Sequence, residues 1–354
     1  MPPAKLRKTD ALALFGLVRY PEQPQREIAE RLGLRVSTLN AAKKRLEKGG
    51  LATTVALTSG LSLGFDSLIV SFREYSLTGP VALLARTDRR IAQESRRTFF
   101  GIYENLQGVS LTYARGEAEV DRYRALAAKI CSTDGAVPRP EVGRQEVLRL
   151  RDVSEDRAFD FSTVIAAAFD LPMPEDMRPP VPTPKGTVGE LPDPARRVFR
   201  HLIQKPTATD SQTANALGRS RQSVARLRQR LEDDGFLRRI VVPDLKRIGV
   251  HSLSATLLDF AAGSSSETRR EGREWSLREL PVFTYLTSDA RDLVLTASVD
   301  MHAARGLSSQ VPPKYFVGPY KQRTFAHTMF AVERADLHTF VDFKPLVEDA
   351  LAVK

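Results

Sequence analysis

DSQTANALGRSRQSVARLRQRLEDDGFLRRIVVPDLKRIG, residues Asp210 to Gly249, decides how the rest of this chain is read. It opens with a short helix over Asp210–Leu217, where Asp210 can cap free amides and Ala214 is small enough for another helix to cross closely. Gly218 supplies a tight turn, because a residue without Cβ takes positive φ without strain. Ser220 is a good N-cap for a second helix from Arg221 to about Asp233. Within that helix Val224, Leu227 and Leu231 recur at spacings of three and four, so they share one buried stripe. Gln222, Ala225, Arg226 and Gln229 fall on the opposite face. Gly235 ends the helix, Phe236–Val242 reads as a strand, and Pro243-Asp244 as the turn after it. The pattern is a winged helix-turn-helix.

The outward face has the chemistry of a major-groove reader. Arg can bond guanine O6 and N7, and Gln can bond adenine N6 and N7. Arg221, Arg228, Arg230, Arg238 and Arg239 surround the same element and suit phosphates. A charged helix face is also what any solvated helix shows, so one copy alone decides little.

The chain carries the pattern twice. At an offset of 185, Ala29 matches Ala214, Leu32-Gly33 matches Leu217-Gly218, and Arg45-Leu46-Glu47 matches Arg230-Leu231-Glu232. Gly50 matches Gly235, and Gly64 matches Gly249. A repeat of this length reorganises the whole reading. The first unit then has a support helix near Asp10–Arg19, a second helix over Gln25–Leu32, and a recognition helix over Val36–Lys48. Leu39, Ala42 and Leu46 face inward, while Ser37, Asn40, Ala41 and Lys44 face outward. Arg35 stands where Ser220 caps the other copy, so this helix starts more weakly.

Charge follows the repeat. The net charge of the 354 residues is +10, yet residues 1–52 alone hold a net +6 and residues 194–240 a net +7. The excess is confined to the two helix-turn-helix segments, the footprint expected for a polyanion partner. One cysteine, Cys131, excludes an intrachain disulfide framework and a cysteine-based metal site. There is no apolar leader and no apolar run of membrane-spanning length, so the expectation is a cytoplasmic, nucleoid-associated protein without a membrane partner.

After each winged unit the pattern turns to strands. Phe65–Phe72 and Val250–Leu258 are apolar and β-favouring, and helical stretches follow at Val81–Arg97 and Glu267–Leu280. Next come hairpins, Thr98–Tyr103 with Val109–Ala114 and Val282–Thr287 with Leu293–Val299. Further helices follow at Glu117–Ile130 and Met301–Ser309, then last strands near Glu146–Arg149 and Arg323–Val332. The order β-α-β-β-α-β is the ferredoxin-like pattern. Between the copies, eight of the 23 residues in Pro172–Pro194 are proline, which predicts a spacer with neither helix nor sheet. The expected class is α+β, a tandem duplication of a winged helix-turn-helix followed by a ferredoxin-like βαββαβ domain. The expected division is 1–64, first winged unit; 65–151, first αβ domain; 152–171, closing helix; 172–193, linker; 194–249, second winged unit; 250–354, second αβ domain with its C-terminal helix.

The second half resembles the Lrp/AsnC family of transcription regulators through ANALGRSRQSVARLRQRLEDDGFLRR, IVVPDLKRIGV and the hairpin SDARDLVLTASVD. The first half resembles it through REIAERLGLRVSTLNAAKKRLEKGGL. The resemblance implies double-stranded DNA binding, transcriptional control and association through the αβ domains. Carried over by position, the DNA-facing residues are Arg35, Ser37, Thr38, Asn40 and Lys44, with Arg219, Arg221, Gln222, Ser223, Arg226 and Gln229. Arg45 and Arg230, matched by the repeat, complete that set. Family members usually carry one unit per chain, so two suggest a pseudo-dimer within the chain, with further pairing into a homodimer left open. The family's small-molecule-binding residues have no match here, so an effector at the αβ domains stands without assigned residues.

The other chemistry-bearing residues read more plainly. His201, His251, His302, His327 and His338 form no close metal-ligand pair, and no Walker A, G-x-S-x-G or G-x-G-x-x-G stretch occurs. Cys131 reads as a buried thiol and Trp275 as packed on the sheet. The run KYFVGPYKQRTF, Lys314–Phe325, is either a loop entering a strand or a stacking surface. The expectation is a transcription regulator with two non-identical recognition helices, no catalytic residue, no metal and no cofactor: not an enzyme. An architectural DNA protein is the first alternative. A protein-interaction module is the second, since winged helices also bind proteins. A siroheme-decarboxylase-like enzyme, which shares this combination of domains, is the third, with His251, His302 or His327 as its acid, since fold does not fix function.

Overall fold

The computed structural model describes residues 6–76, 81–135, 143–172, 183–260, 266–289, 291–300, 323–337 and 339–352. In chain order the elements of the first half are α1 (Lys8–Arg19), α2 (Gln25–Arg31), α3 (Val36–Lys48), β1 (Ala52–Leu57), β2 (Ser67–Glu74), α4 (Val81–Ser95), β3 (Thr98–Glu104), β4 (Gln107–Ala114), α5 (Gly116–Thr133), β5 (Arg144–Arg149), β6 (Ser154–Arg157) and α6 (Ser162–Ala168). The second half has α7 (Asp193–Gln204), α8 (Asp210–Leu217), α9 (Arg221–Asp233), β7 (Arg238–Pro243), β8 (Ser252–Asp259), α10 (Ser266–Glu279), β9 (Val282–Thr287), β10 (Arg291–Ser298), β11 (Arg323–Ala331) and α11 (Lys344–Ala352). The fold is α+β, with the duplicated winged and ferredoxin-like arrangement that the repeat predicts.

The compact units do not follow the halves of the chain. The first collects residues 1–53, 154–181 and 240–333, and the second collects 54–153, 182–239 and 334–354. Each unit therefore takes the helix-turn-helix and closing segment of one copy together with the sheet of the other.

In the first unit the sheet runs β11-β8-β10-β9-β6, all antiparallel. β8, β9, β10 and β11 stand in the ferredoxin-like order, and β6 is an added edge strand. The stretch expected as a closing helix over 152–171 thus contributes a strand first, and its helix is confined to α6. Ser154, Glu155 and Arg157 find backbone partners on β9, which a free helix start would not supply. α6 then packs against α1 and against β9 and β10. Phe161 stacks on Phe283 at 4.8 Å, and Arg19 of α1 donates to Asp160 at 3.1 Å, both side chains 1 % exposed. Leu277, Leu280, Val282, Tyr285 and Val294 form a core under α10, with Trp275 packed on it. The expected helix at Met301–Ser309 lies outside the described residues, as do His302, His338 and most of the run from Lys314.

In the second unit the sheet runs β3-β4-β2-β5, again the ferredoxin-like order. α4 and α5 cover one face, where Ile69, Ile91, Ala114, Val120, Tyr123 and Ile130 pack. Cys131 is a buried thiol in that core, and burial raises its pKa. α7 carries an apolar stripe of Ala195, Val198, Phe199, Leu202 and Ile203 at helical spacing, all buried. α11 packs against α7 and β3; Phe343 meets Phe99 at 4.9 Å, and Asp349 accepts from Arg97 at 2.8 Å. Asp336 bridges to Tyr103 on the edge of the sheet, the counterpart of what β6 does in the first unit. The proline-rich spacer is not wholly without structure. Val188–Glu190 forms a single 3-10 turn closed by a capping box from Thr187 and Glu190.

Candidate nucleic-acid interface

The α8–α9 pair is built as the spacing predicts, with one correction. Asp210 is not the cap. Thr209 is, accepting from the Gln212 amide at 3.2 Å while the Gln212 side chain accepts from the Thr209 amide at 2.9 Å. Asp210 is turned instead toward Arg228, 3.0 Å away. Gly218 takes φ 63 in the turn, a left-handed value that a Cβ would strain. Ser220 caps α9, accepting from the Ser223 amide at 3.2 Å. Val224 and Leu231 are buried and Leu227 is half-buried, which orients the helix. The wing strand begins at Arg238 rather than Phe236 and includes Pro243, because Phe236 and Leu237 are drawn into the core by their amides bonding the Leu231 carbonyl.

This packing leaves Arg219, Arg221, Gln222, Arg226, Gln229 and Arg230 exposed, with Ser223 half-buried. Among the described residues no acid pairs with Arg219, Arg221 or Arg226. The neighbouring arginines are tied: Arg228 to Asp210, Arg239 to Glu232 at 3.4 Å, and Arg230 loosely to Asp234 at 3.4 Å. Gln229 donates to Asp233 at 2.9 Å. Lys185 also reaches Asp234, at 2.9 Å, and that hydrogen bond holds its carboxyl below the usual range.

The first unit is assembled on the same plan with different chemistry. Leu39, Ala42 and Leu46 of α3 are buried. Gly16 lets α1 and α2 meet, since a Cβ there would lie 2.4 Å from Leu32 Cδ1. No side chain caps α3, as expected with Arg35 at the N-cap. Arg35, Val36, Ser37, Ala41, Lys44 and Arg45 are exposed, and Thr38 and Asn40 are half-buried. Arg45 is bound by Asp10 at 2.5 Å, and this hydrogen bond raises the guanidinium above its ordinary value. The far end of α3 is held by the turn after β7, where Arg247 donates to the Gly49 carbonyl and the Asp244 amide to Leu51.

Each αβ sheet also buries a polar knot that the repeat did not point to. In the second unit Arg73 donates to Asp88 at 2.5 Å, to Tyr123 Oη at 3.0 Å and to Ser110 Oγ at 3.0 Å, and Tyr75 donates to Asp88 at 2.7 Å. Burial opposes the charge on Arg73, but Asp88 and the tyrosines outweigh it and hold the guanidinium well above its ordinary value. Burial, helped by the Asp88 charge, raises Tyr75. In the first unit Tyr285 donates to Asp292 at 2.8 Å, with Arg269 at 3.4 Å. Burial pushes the Asp292 carboxyl up to about 6, against the pull of Tyr285 and Arg269. The sequence signal was a lone acid at the head of the apolar strand RDLVLTAS. Nearby on the same sheet, His327 Nδ1 lies 2.8 Å from Thr256 Oγ1. His201 sits half-buried on α7, its pKa lowered by burial and Lys205. Among the described residues no three acids, histidines or cysteines are grouped to hold a metal, and no helix is long and apolar enough to cross a membrane.

No protein-family profile matches the chain, and no curated protein matches it. Among solved structures, the siroheme decarboxylase NirDL is similar along the whole length, covering 97 % of this chain and 98 % of its own at 11 % identity and a TM-score of 0.49. An AsnC family transcriptional regulator from Agrobacterium tumefaciens is similar over 40 % of this chain and 90 % of its own, at 12 % identity and a TM-score of 0.32. The leucine response regulatory protein of Mycobacterium tuberculosis covers 40 % of this chain and 92 % of its own, at 17 % identity and a TM-score of 0.29. Identities this low speak to the fold. The regulators match part of the chain, and the whole-length likeness is to an enzyme. The expectation that this chain is not an enzyme is corrected by that match.

Proposed function

We propose that the two helix-turn-helix units bind double-stranded DNA, α9 and α3 entering major grooves as two unlike recognition helices. The observation that carries this is the outward face of α9. Arg219, Arg221, Gln222 and Arg226 are exposed and, among the described residues, unpaired, while acids neutralise the arginines beside them. Unpaired arginines on the solvent side of a capped helix are what base edges and phosphates require. Arg230, mostly exposed and held only at 3.4 Å, suits a phosphate. Fluorescence anisotropy of the full chain on random duplexes and genomic fragments, across a salt series, tests the proposal. Fragment-selective binding that outlasts the salt-sensitive background supports a regulator. Equal binding to every duplex favours an architectural role, and no binding at low salt removes DNA as the partner.

A second reading concerns the αβ part and uses other residues. A buried carboxyl with a pKa near 6, beside the Tyr285 hydroxyl, can deliver a proton near neutral pH. Acid-assisted chemistry on a small molecule bound at that sheet is compatible with DNA binding by the helices. Iron-uroporphyrin III, present as an analogue in a co-complex of NirDL, is a direct probe. A shift of its Soret absorption on mixing, followed by conversion of the bound porphyrin that Asp292→Asn abolishes while leaving the shift, supports this reading; an unchanged spectrum removes it for that class of ligand.

A further inference from the structure

Val36 is an exposed apolar side chain between the exposed polar residues Arg35 and Ser37. Only two large hydrophobic side chains among the described residues are exposed, and Val36, at 40 %, is the more exposed. It stands in the first turn of α3, the end of a recognition helix that reaches base edges. At the same place in the repeat, α9 has Arg221. The substitutions continue along the face: Ser37 for Gln222, Asn40 for Ala225, Ala41 for Arg226 and Lys44 for Gln229. Where α9 presents guanidinium and amide groups, α3 presents two apolar groups, Val36 and Ala41, one amide, Asn40, and one cation, Lys44. Arg45, the one arginine within that helix, is held by Asp10, and Lys43 lies 3.8 Å from Glu47.

Base edges in the major groove differ in a matching way. Guanine offers two acceptors that suit an arginine. Thymine offers a methyl group that suits an apolar side chain, and its adenine partner offers the acceptor and donor that suit an asparagine. We infer that the two recognition helices divide the base pairs between them: α3 reads A·T pairs through thymine methyls on Val36 and Ala41, with Asn40 on adenine, and α9 reads guanine through Arg226. This rests on the proposal that the helices bind DNA, and it names the chemistry of each half-site. Solvation accounts for Lys44, whereas an exposed valine flanked by Arg35 and Ser37 gains nothing from water.

The test uses the full chain. A random-sequence duplex library is selected at low salt, and the best site is remade with deoxyuridine for thymine, or with 7-deazaguanine for guanine. The expected site is asymmetric, with A·T pairs in one half and guanine in the other. Removing thymine methyls from the A·T half weakens binding by about fourfold for each methyl contacted. Val36→Ser removes the share of the methyl it contacts, Val36→Ser with Ala41→Ser abolishes the sensitivity, and both leave the 7-deazaguanine effect intact. Arg226→Ala does the reverse. Val36 is exposed, so its replacement leaves the core untouched. Equal binding of thymine and uracil duplexes, or a uracil effect that survives undiminished in the Val36→Ser/Ala41→Ser double variant, overturns the inference while leaving DNA binding in place. No retention of any duplex at low salt overturns both.

Discussion

The two sheets bury a carboxylate, an arginine and a tyrosine hydroxyl in the same corner, yet they deliver them from opposite sides. In the second unit the strand gives the cation and the helix the acid: Arg73 is the seventh residue of β2, paired across the ladder with Gly108, and Asp88 comes from α4. In the first unit Leu258 is the seventh residue of β8, paired with Asp292, so the strand gives the acid and α10 gives Arg269. Gly108 has no room for a side chain, because a Cβ there would lie 2.6 Å from Asp88 Oδ2. The apolar skeleton tolerates either arrangement. The electrostatic outcome differs: Arg73 fully engages Asp88, whereas Arg269 reaches Asp292 only at 3.4 Å, and that acid is left with a raised pKa.

The sharpest way to break this comparison is to give the second unit the leucine of the first. Arg73→Leu leaves Asp88 buried without its charge partner and is expected to lower stability by about 3–5 kcal/mol in urea unfolding followed by circular dichroism. Adding Asp88→Leu should recover much of that loss; a double variant as unstable as the single would mean that the knot is not an ion pair in effect.

Next comes Asp292→Asn. Its folded pKa lies above the unfolded value, so the native state binds more protons between about pH 4 and 6 and loses stability as pH rises through that window. The amide should therefore stabilise the first unit by about 2–3 kcal/mol above pH 6 and by little near pH 4. Trp275, the single tryptophan, packs in the same core and reports it by fluorescence. Equal effects at both pH values would show that Asp292 titrates normally.

Arg226→Ala is expected to cost about 1–3 kcal/mol on a selected site and much less on random duplex. Ala41→Arg, which moves the same group to the other helix, should change the preferred site rather than the salt slope. A uniform loss across sequences would make Arg226 a phosphate contact.

The smallest effects concern the helix starts. Ser220→Ala should destabilise the second unit by about 1 kcal/mol, and Arg35→Ser should stabilise the first by about 0.5–1 kcal/mol in thermal unfolding. No gain from Arg35→Ser would mean that the α3 amides are already satisfied.

Local signals were legible in the chain. α8, α9 and α3 have the limits that their apolar spacing predicts, and the βαββαβ order carried the strand order of both sheets. What escaped was everything decided by distant partners. Asp210 looks like a cap until Arg228 is beside it. Residues 154–157 carry no helix-breaking residue, and only the free edge of β9 makes them a strand. Arg19 reads as a polar helix end, yet it is buried on Asp160, 141 positions away. Val36 enters the sequence reading only as the first residue of α3; its exposure follows from the rotation that Leu39, Ala42 and Leu46 impose on that helix.

The crossed make-up of the two units bears on how this gene could be divided. A break in the proline-rich stretch would yield two polypeptides of similar size, and neither would hold all the pieces of either unit. The front fragment would carry one finished sheet but only the helices meant for the other unit; the rear fragment would hold the opposite pieces, its sheet short of β6 as well. Such fragments are obliged to find each other, as the parts of a split reporter are, and a stop codon midway would discard both units rather than spare one.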